Sequence, residues 1–181
     1  IEADPGQTKD VADKHPEIVA RLRKDYDAWW ADISQGFDEY SRLVLGADAA
    51  NPTCLTCMDW HGKKVPWNQP HIRDAMVANG DWVVDVARAG TYKIGLRRWP
   101  TELDCAINDA PDGMTKIHAT EARLTIGGHD RTQPIPDDAR TATFTVELAP
   151  GPTRLQTWLT GPDTQARGAY YVTIERLATS S

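Results

Sequence analysis

The densest run of chemically capable side chains is Asp59-Trp60-His61-Gly62, with Trp67-Asn68-Gln69 after a short gap. A carboxylate and an imidazole can position a hydroxyl or move a proton. An indole offers a flat apolar face that suits a sugar ring, and the Asn68 amide both donates and accepts. The run falls on a stretch rich in turn residues, and loops held by rigid sheets often carry binding groups. The competing reading is a self-packed loop whose indoles plug the end of the fold. A second group, Arg97-Arg98-Trp99, closes a strand-like stretch. A guanidinium matches the oxygens of carboxylate or sulfate, and the competing reading is a surface ion pair. Arg97 and Arg98 alternate, so at most one is expected to reach a ligand. Candidate substrate-binding residues are therefore Asp59, Trp60, His61, Trp67, Asn68, Arg98 and Trp99, with no catalytic or metal-binding residue assigned.

Other motifs read as structural. Cys54-Leu55-Thr56-Cys57 is a CxxC without a second pair to complete a zinc site, and without the βαβ setting of a redox motif. Three cysteines make an odd count. Gly127-Gly128 is a turn, since no helix follows to cradle phosphate. His118 and His129 stand alone.

These candidates need a scaffold. From Pro16 to Gly36 the residues Ile18, Val19, Leu22, Tyr26, Trp29, Trp30 and Ile33 recur at three- and four-residue steps, which predicts an amphipathic helix. Pro16 suits a first helical position. Trp29 and Trp30 lie on the apolar stripe and read as docking residues, so part of the stripe is expected to be exposed. Beyond it, short alternating stretches predict strands at Leu43–Leu45, 51–59, 79–100, 115–126, 141–148, 153–160 and 169–177, with an irregular loop over 60–74. In 79–100, Trp82, Val84 and Val86 alternate before Ala89-Gly90, and Tyr92, Ile94 and Leu96 after it. The stretch reads as a hairpin with one apolar face and Val83 as its exception. The expected fold is mainly β: an antiparallel, jelly-roll-like sandwich of seven or eight strands preceded by an N-terminal amphipathic helix. The boundary falls at 37/38.

Composition narrows the function. The 181 residues are 40% hydrophobic and 25% charged, as expected of a folded chain. A net charge of −6 argues against a nucleic-acid protein. No apolar run is long enough to span a membrane. The chain opens on Ile1 with no signal-peptide pattern and reads as a piece cut from a longer protein.

Asp4-Pro5-Gly6-Gln7, then Asp10-Val11-Ala12 and His15-Pro16-Glu17, resemble the closing segment of type I sulfatases. The phrases LTCMDWHG, PWNQ, NGDWVVDVARAGTYKIGLRRWP, RLQTWL and GAYYVTI are similar to the C-terminal extension of a bacterial arylsulfatase group. The resemblance implies a sulfuric ester hydrolase that uses formylglycine and calcium, acts on a sulfated glycan or aryl sulfate, and is periplasmic or secreted. It also implies that both groups belong to a catalytic domain outside this chain. The formylglycine motif C/S-x-P/A-x-R does not occur at Cys54, Cys57 or Cys105, and Asp137-Asp138 is a turn rather than the calcium-binding pair. The chain is thus expected to be an accessory region, with no cofactor of its own, that docks on the catalytic domain of the same polypeptide. The alternative is a stand-alone carbohydrate-binding β-sandwich.

Overall fold

The computed structural model describes residues 2–162 and 166–178. It divides into two compact units, Ile1–Tyr40 and Ser41–Ser181. In the first unit a single turn of 3-10 helix, Ala12–Lys14, leads into helix α1, Pro16–Ile33. Pro16 opens the helix, where its missing N–H removes no hydrogen bond, and Glu17 places a negative charge in the first turn, which suits the helix dipole. No residue of α1 is buried. Trp29 and Trp30 are 53% and 45% exposed, and their rings gather with Tyr26 and Phe37 at centroid separations of 5.2–6.2 Å. The stripe is therefore open, as the spacing predicts.

The second unit contains nine strands among its described residues. They are β1 Leu43–Leu45, β2 Thr53–Thr56, β3 Asp81–Val86, β4 Gly90–Arg97, β5 Glu121–Ile126, β6 His129–Pro134, β7 Ala142–Leu148, β8 Gly151–Thr160 and β9 Tyr171–Arg176; a short helix α2, Gln69–Arg73, precedes β3. One sheet has the order β1-β3-β8-β5-β6 and the other β2-β9-β4-β7. From β2 onward the chain changes sheet at every connection except β5 to β6. That wrapping, antiparallel throughout, is the jelly roll; β1 adds a short edge strand parallel to β3.

The 79–100 hairpin is corrected by this topology. β3 pairs with β1 and β8, and β4 with β7 and β9, so the two never pair with each other. Ala87-Arg88-Ala89 instead carries the chain from one sheet to the facing one. Three extended residues span about 10 Å, the usual separation of packed sheets. Alternation cannot tell the two arrangements apart, because both rows of apolar side chains reach the core either way. Among the described residues the hairpin is β5–β6, where Gly127 and Gly128, both at positive φ, form its two-residue turn. Strand β6, polar on both faces, escapes the period-2 pattern.

Trp82, Val84, Val86, Leu124 and Leu155 from the first sheet face Tyr92, Ile94, Leu96, Phe144 and Val172 from the second, all buried. Each such side chain contributes about 1.5–3 kcal/mol on burial. Two polar tips of this core find carbonyl acceptors: Trp82 Nε1 donates to the Thr56 carbonyl at 2.7 Å, and the Tyr92 hydroxyl to the Arg88 carbonyl at 2.7 Å. The strand expected over 115–126 begins only at Glu121, because Thr115, Ile117 and Ala119 bond to Arg73 and Asn108 rather than to a neighbouring strand. The Asn108 amide brackets Ala119 with bonds of 3.0 and 2.7 Å.

Candidate functional site

Leaving β2, the chain makes one turn of 3-10 helix over Cys57–Asp59 before it reaches β3 in the other sheet. Thr56 caps the turn: its hydroxyl accepts from the Met58 N–H and donates to Asp59 Oδ2, both at 3.3 Å. Two backbone bonds with Asp81, of 2.8 and 3.0 Å, then fix His61 at the start of β3. The turn places Asp59 and His61 on an open cleft of about 390 Å3 beside the β1–β3 edge, lined also by Ser41, Leu43, Met58, Trp60 and Val83. A carboxylate, an imidazole and a hydroxyl thus stand over an apolar floor, which is the composition of small-molecule sites.

The remaining predicted residues separate sharply. Trp60 is only 5% exposed and packs edge-on against Trp82 at 5.5 Å, with Tyr170 at 6.1 Å. Gly168 permits this: a Cβ there would stand 2.4 and 2.5 Å from the Trp60 ring. Trp60 is thus a core residue at the sandwich end, with no face free for a sugar. Trp67 is 67% exposed, edge-to-face with His71 at 5.4 Å. Asn68 is occupied as the cap of α2, its side chain accepting from the His71 N–H at 3.0 Å. That helix interrupts the expected 60–74 loop.

Arg98 and Trp99 also turn inward. Arg98 is 1% exposed, lies 4.4 Å over the Trp99 ring, and donates to the carbonyls of Asp109 and Thr115. Trp99 Nε1 donates to the same Asp109 carbonyl at 2.9 Å. Burial without a carboxylate partner lowers the Arg98 pKa to about 10. Both expected alternatives, anion binding and a surface ion pair, give way to a clamp on the 104–118 segment. The two candidate segments do share one end of the sandwich, since Thr56 and Arg97 both lie in register with Tyr171.

Cys54 is exposed, Cys57 buried and Cys105 partly buried, all as free thiols. Burial pushes the Cys57 pKa up to about 11. Among the described residues no group of three His, Cys, Asp or Glu side chains is placed to hold a metal, and no helix is long and apolar enough to cross a membrane.

Ser41, Leu43, Met58 and Val83 complete the cleft but lie outside the motif that singles out Asp59 and His61. Val83 carried a signal, since it breaks the polar face of β3.

No family model and no curated protein matches the chain. Among solved structures it is similar to a ruminal GH26 endo-β-1,4-mannanase, at 15% identity and TM-score 0.43, covering 80% of this chain and 28% of that one. It is also similar to a family 35 carbohydrate-binding module from Clostridium thermocellum, at 14% identity and TM-score 0.40, covering 71% of this chain and 100% of that one. A third, a CBM35 from Cellvibrio japonicus, has 17% identity and TM-score 0.37, covering 74% of this chain and 91% of that one. At TM-scores below 0.5 these likenesses carry no inference about this chain. Its class, a jelly-roll β-sandwich, rests on the strand register.

Proposed function

We propose that the sandwich is a carbohydrate-binding accessory module whose site is the Asp59–His61 cleft. The observation that supports this is the cleft itself, where Asp59, His61 and Ser41 stand over Leu43 and Val83. A sugar ring presents hydroxyls at its edge and an apolar C–H face, and this lining complements both. Asp59 accepts from hydroxyls, and His61 donates or accepts according to tautomer. Retardation of the protein in native gels containing neutral or sulfated polysaccharide tests the reading. Mobility unchanged by every polysaccharide would contradict it.

A second reading, that the chain is the accessory region of a sulfuric ester hydrolase, is favoured by the exposed aromatic group of α1. Tyr26, Trp29 and Trp30 offer an apolar surface that fits docking on a catalytic domain of the same polypeptide. A C/S-x-P/A-x-R motif encoded upstream supports this reading, and an upstream region without one overturns it.

A further inference from the structure

A separate feature lies on the outer face of the β2-β9-β4-β7 sheet. Gly95 sits in the middle of β4, a central strand, in unbroken register with Thr143 on β7 and Thr173 on β9. Glycine weakens a strand relative to alanine, and in a strand interior it marks a bulge or the close approach of another group. No bulge is present. A Cβ at Gly95 would stand 2.9 Å from the Thr141 methyl, so Thr141 accounts for one side of the gap. What remains is an open trough of about 240 Å3 lined by Lys93, Arg97, Thr101, Thr141, Thr143, Thr173 and Glu175 as well as Gly95.

Neither cation of this trough has a carboxylate partner. The ion pairs among the described residues join arginine or lysine to Asp48, Asp81, Asp104, Asp109 or Asp130. Arg97 belongs to none of them, although it is only 8% exposed. Its guanidinium donates instead to neutral acceptors: Trp99 O at 3.1 Å, Thr141 Oγ1 at 2.7 Å and Pro100 O at 3.5 Å. Lys93 also forms no ion pair, even with Glu175, directly opposite it in register. Two cations therefore line one small trough against a single carboxylate, in a chain of net charge −6. A nearly buried guanidinium without a counter-ion favours an anion beside it. Thr143 and Thr173 flank Gly95 in register and line the trough, and Thr141, whose oxygen accepts from Arg97, keeps its O–H to donate.

We infer that this trough binds one sugar ring bearing an anionic substituent, seated on Gly95 with the anion toward Lys93 and Arg97 and the ring hydroxyls toward the threonines and Glu175. The site is distinct from the Asp59–His61 cleft, which lies beside the β1–β3 edge of the other sheet. Each reading can therefore fail without the other.

The test is amide chemical-shift mapping on the 15N-labelled chain. It is titrated separately with N-acetylglucosamine 6-sulfate, with N-acetylglucosamine and with sodium sulfate. The expected result is saturable shifts in 93–97, Thr143 and Thr173 with the sulfated sugar, and at least tenfold weaker effects with the other two probes. Lys93→Met, a solvent-side change, is expected to weaken the sulfated sugar about tenfold, and Asp59→Ala to leave these shifts unchanged. Gly95→Ala is expected to block the trough; should that variant unfold, Lys93→Met decides. Absent shifts, equal shifts with inorganic sulfate or the neutral sugar, or unchanged affinity in Lys93→Met would each overturn the assignment.

Discussion

The Asp59–His61 turn and the Arg98–Trp99 edge lie at the same end of the sandwich, yet only the turn presents polar side chains to an open cleft. At the turn, a short 3-10 helix ties the backbone to itself and to Asp81, and Asp59 and His61 line the cleft. At the edge, the carbonyls of Asp109 and Thr115 are unsatisfied by any strand, and Arg98 supplies their donors from inside. The fate of a polar side chain here follows from where the neighbouring backbone finds its hydrogen bonds. The same contrast splits the indoles of one loop. Trp60 fills the sandwich end, whereas Trp67 stands in solvent beside His71.

Substitutions can break this contrast, and the largest effect belongs to Trp60. Trp60→Ala removes a core indole and is expected to lower stability by about 3–5 kcal/mol, read from urea unfolding. A change under about 1 kcal/mol would show that Trp60 is peripheral. Arg98→Ala is expected to lower stability by about 2–4 kcal/mol, because a buried side chain leaves a void and the Thr115 carbonyl loses the Arg98 donor, while Asp109 O keeps Trp99 Nε1. If Arg98 instead served a ligand, its removal would leave the urea midpoint in place.

Cys57 provides a pH test of the buried side of the turn. Its folded pKa is raised, to about 11, so the thiol's contribution to stability is fully present below the unfolded value near 9. That contribution is lost as pH rises toward 11. The stability difference between wild type and Cys57→Ala is expected to shrink across that window, and alkylation at pH 8 to modify Cys54 well before Cys57. Equal alkylation rates would contradict the burial. The smallest effect is expected at the exposed indole, where Trp67→Ala shifts stability by no more than about 0.5 kcal/mol.

Much of this was legible from period and composition. The α1 stripe and the alternation of Ala142, Phe144, Val146 and Leu148 stand where they were expected. Strand pairing was not, since the apolar rows of β3 and β4 satisfy a hairpin and a sheet crossing equally well. Of the site, Asp59 and His61 were marked by residue type. The inward turn of Arg98, Trp99 and Trp60 was hidden because it depends on residues distant in sequence: Thr115, Asp109 and Gly168. The trough was hidden for the same reason, since Gly95, Thr143 and Thr173 meet only through strand register.

The cleft's role is tested most directly by calorimetric titration of neutral and sulfated oligosaccharides into wild type, Asp59→Ala and His61→Ala. Binding is expected in wild type and at least tenfold weaker in each variant, with urea midpoints unchanged. Binding of equal strength in all three proteins, or none in wild type, would contradict the cleft as a carbohydrate site.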